Sequence, residues 1–318
     1  MTFVSRIDGS AWPDRIRRFR HFVSKTPYAA GTNQDLEMFL RDVRSQHPVV
    51  VITDSPQIDE TYLRALAAEV PLVISIDEAA RFAFSNGLVL NPTLGRTHVE
   101  YNLNGQTQVL AGERYAMIRA EFRRARHVRA TEPGGVPRLL LALGGGETAG
   151  HTAMLAAALL KEIKNVEKID AVVGASRSVD ALEALAAQFP DRLTIARDVR
   201  DLGIRMTKAH LLITGGGNTA LEAACVGVPM ILVSRQLEQQ LTAVRLEELG
   251  VAHYLGPIEK VKPAQLCRAA ESILSDRFER RVMSRAGRML IDGRGPDRLV
   301  TATEILLRRT RRAHALAA

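Results

Sequence analysis

Residues 211–233 read Leu-Leu-Ile-Thr-Gly-Gly-Gly-Asn-Thr-Ala-Leu-Glu-Ala-Ala-Cys-Val-Gly-Val-Pro-Met-Ile-Leu-Val, and this stretch decides the fold. The apolar run Leu211 to Ile213 predicts a buried strand. Gly215, Gly216 and Gly217 follow, then a helix with Asn218 or Thr219 as its N-cap and Glu222 about one turn in. The helix stops near Gly227, and Pro229 blocks its continuation. Met230 to Val233 is a second buried strand. Glycines at a helix N-terminus let phosphate approach unpaired backbone N–H groups, and a carboxylate one turn in suits a ribose. A tight turn between strand and helix, with no ligand, has the same sequence signature.

Working outward, the same alternation runs along the chain. Upstream, Leu139 to Leu143 reads as a strand, followed by Gly144-Gly145-Gly146-Glu147 and a helix to Ile163. Ala171 to Gly174, Val179 to Gln188 and Leu193 to Ala196 continue as strand, helix, strand. Downstream come two amphipathic helices, Lys262 to Ser275 and Arg277 to Leu290, and a turn at 292–296. The first part alternates too. Strands are expected at 2–4, 49–52, 73–76 and 88–90, and helices at 13–25, 35–44 and 59–69. A basic helix follows residue 112 and ends near Arg129. Such alternation implies parallel sheets covered by helices. The expected division is 1–130, a Pro/Gly-rich linker 131–137, a second α/β domain 138–295, and a C-terminal helix with a basic tail, 296–318, packing back on the first domain. Asp54 and Asp77 end predicted strands, where an acid either lines a ligand crevice or caps the next helix.

The 318 residues are 46% hydrophobic and 25% charged, an ordinary globular composition. No apolar run approaches the ~20 residues of a membrane span, and the start lacks a signal-peptide pattern, so a cytoplasmic protein is expected. Cys225 and Cys267 imply no disulfide framework or metal site and read as buried filler. The net charge of +8 gathers near the start, at Arg119–Arg129 and at Arg308–Arg312. Aromatic residues are 5% and do not interleave with the arginines, which argues against nucleic acid. The basic stretches read as solvated helix faces, with a weak peripheral membrane contact at the C-terminal helix as the alternative.

Several stretches together resemble a known family. They are Ser75-Ile76-Asp77-Glu78, Leu88 to Asn91, the run Gly112-x-x-Tyr115-Ala116-x-x-Arg119-x-x-Phe122, Gly144 to Glu147, Ala209 to Gly250, and Asp292-Gly293-Arg294-Gly295. The chain is similar, over nearly all of residues 2–300, to the UDP-2,4-diacetamido-2,4,6-trideoxy-β-L-altropyranose hydrolase family of the pseudaminic acid pathway. That family is itself related to SpsG-type polysaccharide biosynthesis proteins and, more distantly, to family 28 glycosyltransferases. The resemblance implies a GT-B fold, two Rossmann-like domains facing a cleft with UDP on the second. By position, Gly144, Gly145, Gly146, Gly215, Gly216, Gly217, Asn218 and Thr219 would surround the diphosphate and Glu222 would accept from the ribose. Glu238, Gln239 and Tyr115 would lie at the sugar. Glu238 replaces the family's Asn and brings an added negative charge.

A second departure is larger. The family's first βα unit, with a Gly-x-Gly-His loop carrying the expected general base, has no counterpart in the first 130 residues. Loss of a positioned base costs ~10²–10⁴ in rate, and loss of a central strand would expose a sheet edge. His151, near the first turn of the helix after Gly144, is the one substitute candidate, and a solvated histidine is the alternative; otherwise the catalytic residue is unknown. His210 and His253 read as structural or solvated, and His21, His47, His98, His127 and His314 stand alone. The resulting expectation is a UDP-sugar hydrolase of surface polysaccharide or nonulosonic acid biosynthesis, impaired in its base, with no metal and no cofactor beyond the substrate. A glycosyltransferase of the same fold and a non-catalytic UDP-sugar-binding protein are the rivals.

Overall fold

The computed structural model describes residues 2–5, 20–23, 27–80, 82–85, 87–94, 101–104, 107–144, 148–164, 166–174 and 178–317. The chain divides into two units, Met1–Met117 with Arg294–Ala318, and Ile118–Gly293.

The first unit holds β1 (Thr2–Ser5), β2 (Arg20–Val23), α1 (Asn33–Gln46), β3 (Val50–Asp54), α2 (Glu60–Glu69), β4 (Val73–Ile76), β5 (Phe84–Ser85), β6 (Gly87–Asn91), β7 (Leu103–Asn104) and β8 (Gln108–Ala111). Its main sheet has the order β2-β1-β3-β4-β6-β8, and every pairing is parallel. β1 pairs directly with β3, so the expected exposed edge in mid-sheet is absent from the described strands. The helix expected over 13–25 is corrected in part, because residues 20–23 are β2; 13–19 and 24–25 lie outside the described residues. On one face of the sheet Val51, Val73 and Val89 pack on Phe39, Tyr62 and Leu66. On the other, Val50, Ile52, Leu88 and Leu90 pack on Leu299, Val300, Leu306 and Leu307 from the C-terminal helix.

The second unit contains α3 (Ala120–Val128), β9 (Arg138–Ala142), α4 (Ala149–Glu162), β10 (Lys168–Val173), α5 (Asp180–Gln188), β11 (Leu193–Arg197), α6 (Leu202–Lys208), β12 (Leu211–Thr214), α7 (Asn218–Val226), β13 (Met230–Ser234), α8 (Leu237–Glu248), β14 (Ala252–Pro257), α9 (Pro263–Ser275) and α10 (Arg277–Leu290). α11 (Gly295–Ala317) returns to the first unit. The second sheet runs β11-β10-β9-β12-β13-β14, parallel throughout. Its order reverses between β9 and β12, which is the topological switch point of a doubly wound sheet. Leu139, Leu141, Ile169, Ala171, Ile213 and Ile231 anchor the larger core against α4, α5, α9 and α10.

The boundary expected at residue 130 falls instead at Met117, because α3 belongs to the second unit. Phe122 and Ala125, one turn apart, bury its inner face. The segment 131–137 is likewise not a free linker. Glu132 accepts from Arg280 Nε and Nη2 at 3.0 and 2.5 Å with both side chains less than a tenth exposed. Pro133 O lies 3.1 Å from His210 Nε2, while His210 Nδ1 accepts from Arg138 N. That tautomer is neutral, and burial holds the imidazole below its ordinary pKa. His210 is therefore structural. Removing one partner of a buried ion pair strands the other charge, so Glu132→Ala should lower unfolding free energy by ~3–5 kcal/mol in denaturant titrations. A loss within experimental error would return 131–137 to the status of a linker.

Candidate nucleotide-binding site

β9 and β12 are neighbours, with Thr214 paired to Ala142, so the loops leaving their carboxyl ends start side by side. One begins at Gly144, whose φ of +93° favours glycine. Gly145 and Gly146 lie outside the described residues. The other is Gly215–Gly217. Here the glycines answer a close approach: a Cβ on Gly216 would sit 2.0 Å from Gln239 O, and one on Gly215 3.2 Å from Gln239 Oε1. Gln239 Oε1 accepts from Arg235 N at 3.0 Å, which fixes its carboxamide beside the loop. Thus Gly215, Gly216, Gly217 and Gln239 come together around the first turn of α7.

Neither Asn218 nor Thr219 is the N-cap. Gly217 occupies that position, Asn218 opens the helix, and among the described residues no side chain caps it. A helix start without a side-chain acceptor leaves first-turn N–H groups and the positive dipole end open to an anion. Asn218 is exposed and Thr219 half-buried. Below this opening α7 is deeply enclosed, with every residue from Ala220 to Val226 buried. Glu222 is 3% exposed.

The partner of Glu222 is one that the sequence reading did not assign. Arg119 Nε donates to Glu222 Oε1 at 2.7 Å and Arg119 Nη2 to Oε2 at 3.1 Å, a bidentate pair spanning 103 residues. Arg119 also meets Glu121 at 3.2 Å, and its guanidinium lies 4.8 Å over the Phe122 ring. Burial pushes the Glu222 carboxyl above its ordinary range, against the opposing pull of Arg119. The hydrogen bond to Glu222 in turn raises Arg119. Arg119 stands in the run from Gly112 to Phe122, so the signal was present; its contact with α7 was not readable from spacing.

The far end of α7 is held by more arginines. Arg126 Nη1 donates to Cys225 O (2.9 Å) and Ile291 O (3.2 Å), and Arg129 donates to Gly227 O, Met206 O and Thr207 O at 3.1, 2.7 and 3.0 Å. Arg288 in turn donates to Arg126 O and Arg129 O. Burial draws Arg129 down to about 10. Arg126 and Arg129 are therefore internal fasteners, whereas Arg124 of the same stretch is exposed and fits the solvated reading.

Other candidates are dispersed. Tyr115 lies in the first unit, packed against the cluster that holds Val50 and Leu88. Glu238 is exposed on the first turn of α8, next to Gln239. His151 lies half-buried in the first turn of α4. His253 pairs with Glu279 at 2.8 Å. Asp77 caps its own turn, accepting from Ala79 N and Ala80 N at 2.9 and 2.7 Å, whereas Asp54 is exposed at the end of β3. Cys225 and Cys267 are buried and free, and no group of three or more His, Cys, Asp or Glu among the described residues is arranged to hold a metal. No described helix is long and apolar enough to cross a membrane. The side chain of His21, all of His98 and the side chain of His314 lie outside the described residues.

No protein-family profile matches the chain. It is 25% identical over 277 residues to the spore coat polysaccharide biosynthesis protein SpsG of Bacillus subtilis strain 168, covering 86% of this chain and 80% of that relative. It is 38% identical over 105 residues to the NDP-glycosyltransferase YjiC of the same organism, which is 33% of this chain and 25% of that relative. The solved structure of the S. aureus MnaA–UDP complex superposes with a TM-score of 0.62 at 14% identity, covering 96% of this chain and 97% of that one. At that identity the likeness concerns the fold, and the fold is GT-B with two Rossmann-like units.

The ion pair gives a pH-dependent prediction. Arg119→Met leaves Glu222 buried without a cation, so its raised pKa rises further. Stability is then lost as pH rises through that pKa and is retained below it, where the carboxyl is protonated. Because Arg119 is half exposed, the expected deficit at pH 7 is modest, about 1–2 kcal/mol, and it shrinks as pH falls toward the ordinary carboxylate value of 4.5. A deficit independent of pH would contradict the pairing.

Proposed function

We propose that the second unit binds the UDP moiety of a nucleotide sugar and that the protein is a nucleotide-sugar hydrolase of surface polysaccharide or nonulosonic acid biosynthesis, working in the cytoplasm. The observation that carries the reading is the uncapped N-terminus of α7 behind Gly215–Gly217, at the switch point of the sheet, with Glu222 one turn deeper. In this reading the diphosphate meets the loop N–H groups and Gln239 with Glu238 faces the sugar, while the ribose hydroxyls would reach Glu222 only by displacing Arg119, which now takes both oxygens of that buried carboxylate. Gly144 would close the diphosphate from the neighbouring strand. The likeness to SpsG supports a place in polysaccharide biosynthesis, and UDP in the MnaA structure supports the nucleotide.

Chemically, water attacks the activated sugar and UDP departs. Charge grows on the leaving phosphate oxygen, where helix N–H groups fixed in advance need no reorganisation. His151 is the candidate to deprotonate the water. His151→Ala would then lower turnover by ~10²–10⁴ while leaving UDP affinity unchanged. The likeness to an NDP-glycosyltransferase favours a second reading, transfer of the sugar to an acceptor. Label from a UDP-sugar released as free sugar supports hydrolysis, and label in an acceptor supports transfer. Intact UDP affinity without either product supports a binding protein.

The binding step is tested by thermal shift with UDP, against GDP and CMP. At ~100 times Kd, UDP should stabilise the fold by ~2.7 kcal/mol, and Gly216→Ala, which drives a methyl into Gln239 O, should abolish the shift. No shift at millimolar UDP would overturn the proposal.

A further inference from the structure

Helix α10 carries five arginines and one glutamate. Two of the arginines turn inward: Arg280 pairs with Glu132, and Arg288 donates to the carbonyls of Arg126 and Arg129. Arg277, Arg281 and Arg285 are exposed and make no hydrogen bond or ion pair among the described residues. Large apolar side chains share their face. At about 3.6 residues per turn, Phe278, Val282, Arg285 and Met289 form one stripe, with Arg277 and Arg281 along its edge. Phe278, Val282 and Met289 are 76%, 47% and 85% exposed. The opposite face packs on α7 through Gly287, where a Cβ would lie 2.9 Å from Ala224 O. The carboxylates nearest the stripe are taken. Glu279 pairs with His253 at 2.8 Å, Asp276 accepts from Phe278 N and Glu279 N, and Glu247 accepts from Tyr254 N.

We propose that this outer face of α10 docks the protein on an anionic bilayer surface, with Arg277, Arg281 and Arg285 among the lipid phosphates and Phe278, Val282 and Met289 at the acyl boundary. The charge pattern selects this occupant. Unpaired cations and apolar side chains on one helix face are what an interfacial helix presents to anionic lipid. Arg285 lies within the apolar stripe itself. In a dry protein contact it would need a matching carboxylate, whereas at a bilayer its long stem lies along the apolar side chains and its head stays with the phosphates. A second copy is disfavoured, because like faces would set arginine against arginine. A nucleic-acid backbone would engage the arginines but leave Phe278, Val282 and Met289 in water. One helix face also falls short of the roughly 1,200–2,000 Å² that a standard protein interface buries, while a fluid surface demands no matching shape.

The contact is on a different element from the basic C-terminal helix, and it does not rest on the nucleotide reading. It keeps a weak, reversible hold, since no lipid anchor or spanning segment is invoked.

Co-sedimentation of the full chain with vesicles tests the proposal, with circular dichroism and an unchanged Tm confirming that each variant is folded. The vesicles are phosphatidylcholine alone, or phosphatidylcholine with about three-tenths phosphatidylglycerol. The wild type should bind the second and not the first, and should be released at about 1 M salt, where charges are screened beyond about 3 Å. Each arginine near an anionic surface is worth roughly fivefold in partition, so Arg277→Gln, Arg281→Gln and Arg285→Gln combined should weaken binding about 100-fold. Phe278→Ser with Met289→Ser should weaken it about tenfold at low salt. Equal binding to both vesicles, no binding to either, or a triple arginine variant that binds as well as wild type overturns the proposal. Retention on duplex DNA without retention on the anionic vesicles overturns it in favour of nucleic acid. No nucleotide is present, so the outcome is separate from that of the UDP titration.

Discussion

A helix buried along its length must satisfy the polar groups at both its ends, and helix α7 is buried from Ala220 to Val226. At its carboxyl end the donors come from two guanidiniums, those of Arg126 and Arg129, and Arg288 fixes the backbone of both. Cations are also the charge that the end of a helix dipole favours. Midway, the one charged side chain within the buried run, Glu222, is met by both arms of Arg119. Among the described residues the amino end alone lacks a side-chain acceptor, and it opens where two loops leave the sheet at its switch point. The proposed anion site is thus the one end of this helix that the second unit does not itself complete.

The same constraint explains the domain boundary. α3 supplies Arg126, with Arg119 at its N-cap and Arg129 at its C-cap, all directed to α7 or the backbone beside it, so α3 folds with the second unit. Glu132 and Pro133 extend this anchoring through Arg280 and His210. The guanidiniums are costly to bury, and each is held by carbonyls or a carboxylate that would otherwise lack a strong donor. Breaking the contacts of buried Arg129 therefore strands both donor and acceptor, whereas loss of half-exposed Arg119 strands Glu222 alone.

The parallel sheets and the strand–glycine–helix unit were legible because apolar runs bounded by glycine and proline record burial and turns directly. Glu222 was legible as a candidate for the same local reason. Arg119 was not assigned, since no period or spacing shows that residues 119 and 222 meet. The solvated reading of the basic stretch holds for Arg124 but fails for Arg126 and Arg129, because composition does not distinguish an arginine in water from one donating to buried carbonyls. The N-cap slipped by one or two residues because Gly217, with extended backbone, takes the position that Asn218 or Thr219 would have taken by side-chain preference. Strand β14 and helix α6 went unread: neither shows a sustained apolar period, and β14 ends in Gly256 and Pro257.

The most direct test of the account follows the backbone amides of α7's opening in isotope-labelled protein by nuclear magnetic resonance. On addition of UDP the amide protons of Gly217, Asn218 and Thr219 should shift strongly downfield, as expected for N–H groups that take a phosphate oxygen, while uridine alone should leave them nearly unmoved. Equal responses to UDP and uridine, or shifts confined to other parts of the chain, would contradict the claim that this helix end is the diphosphate site.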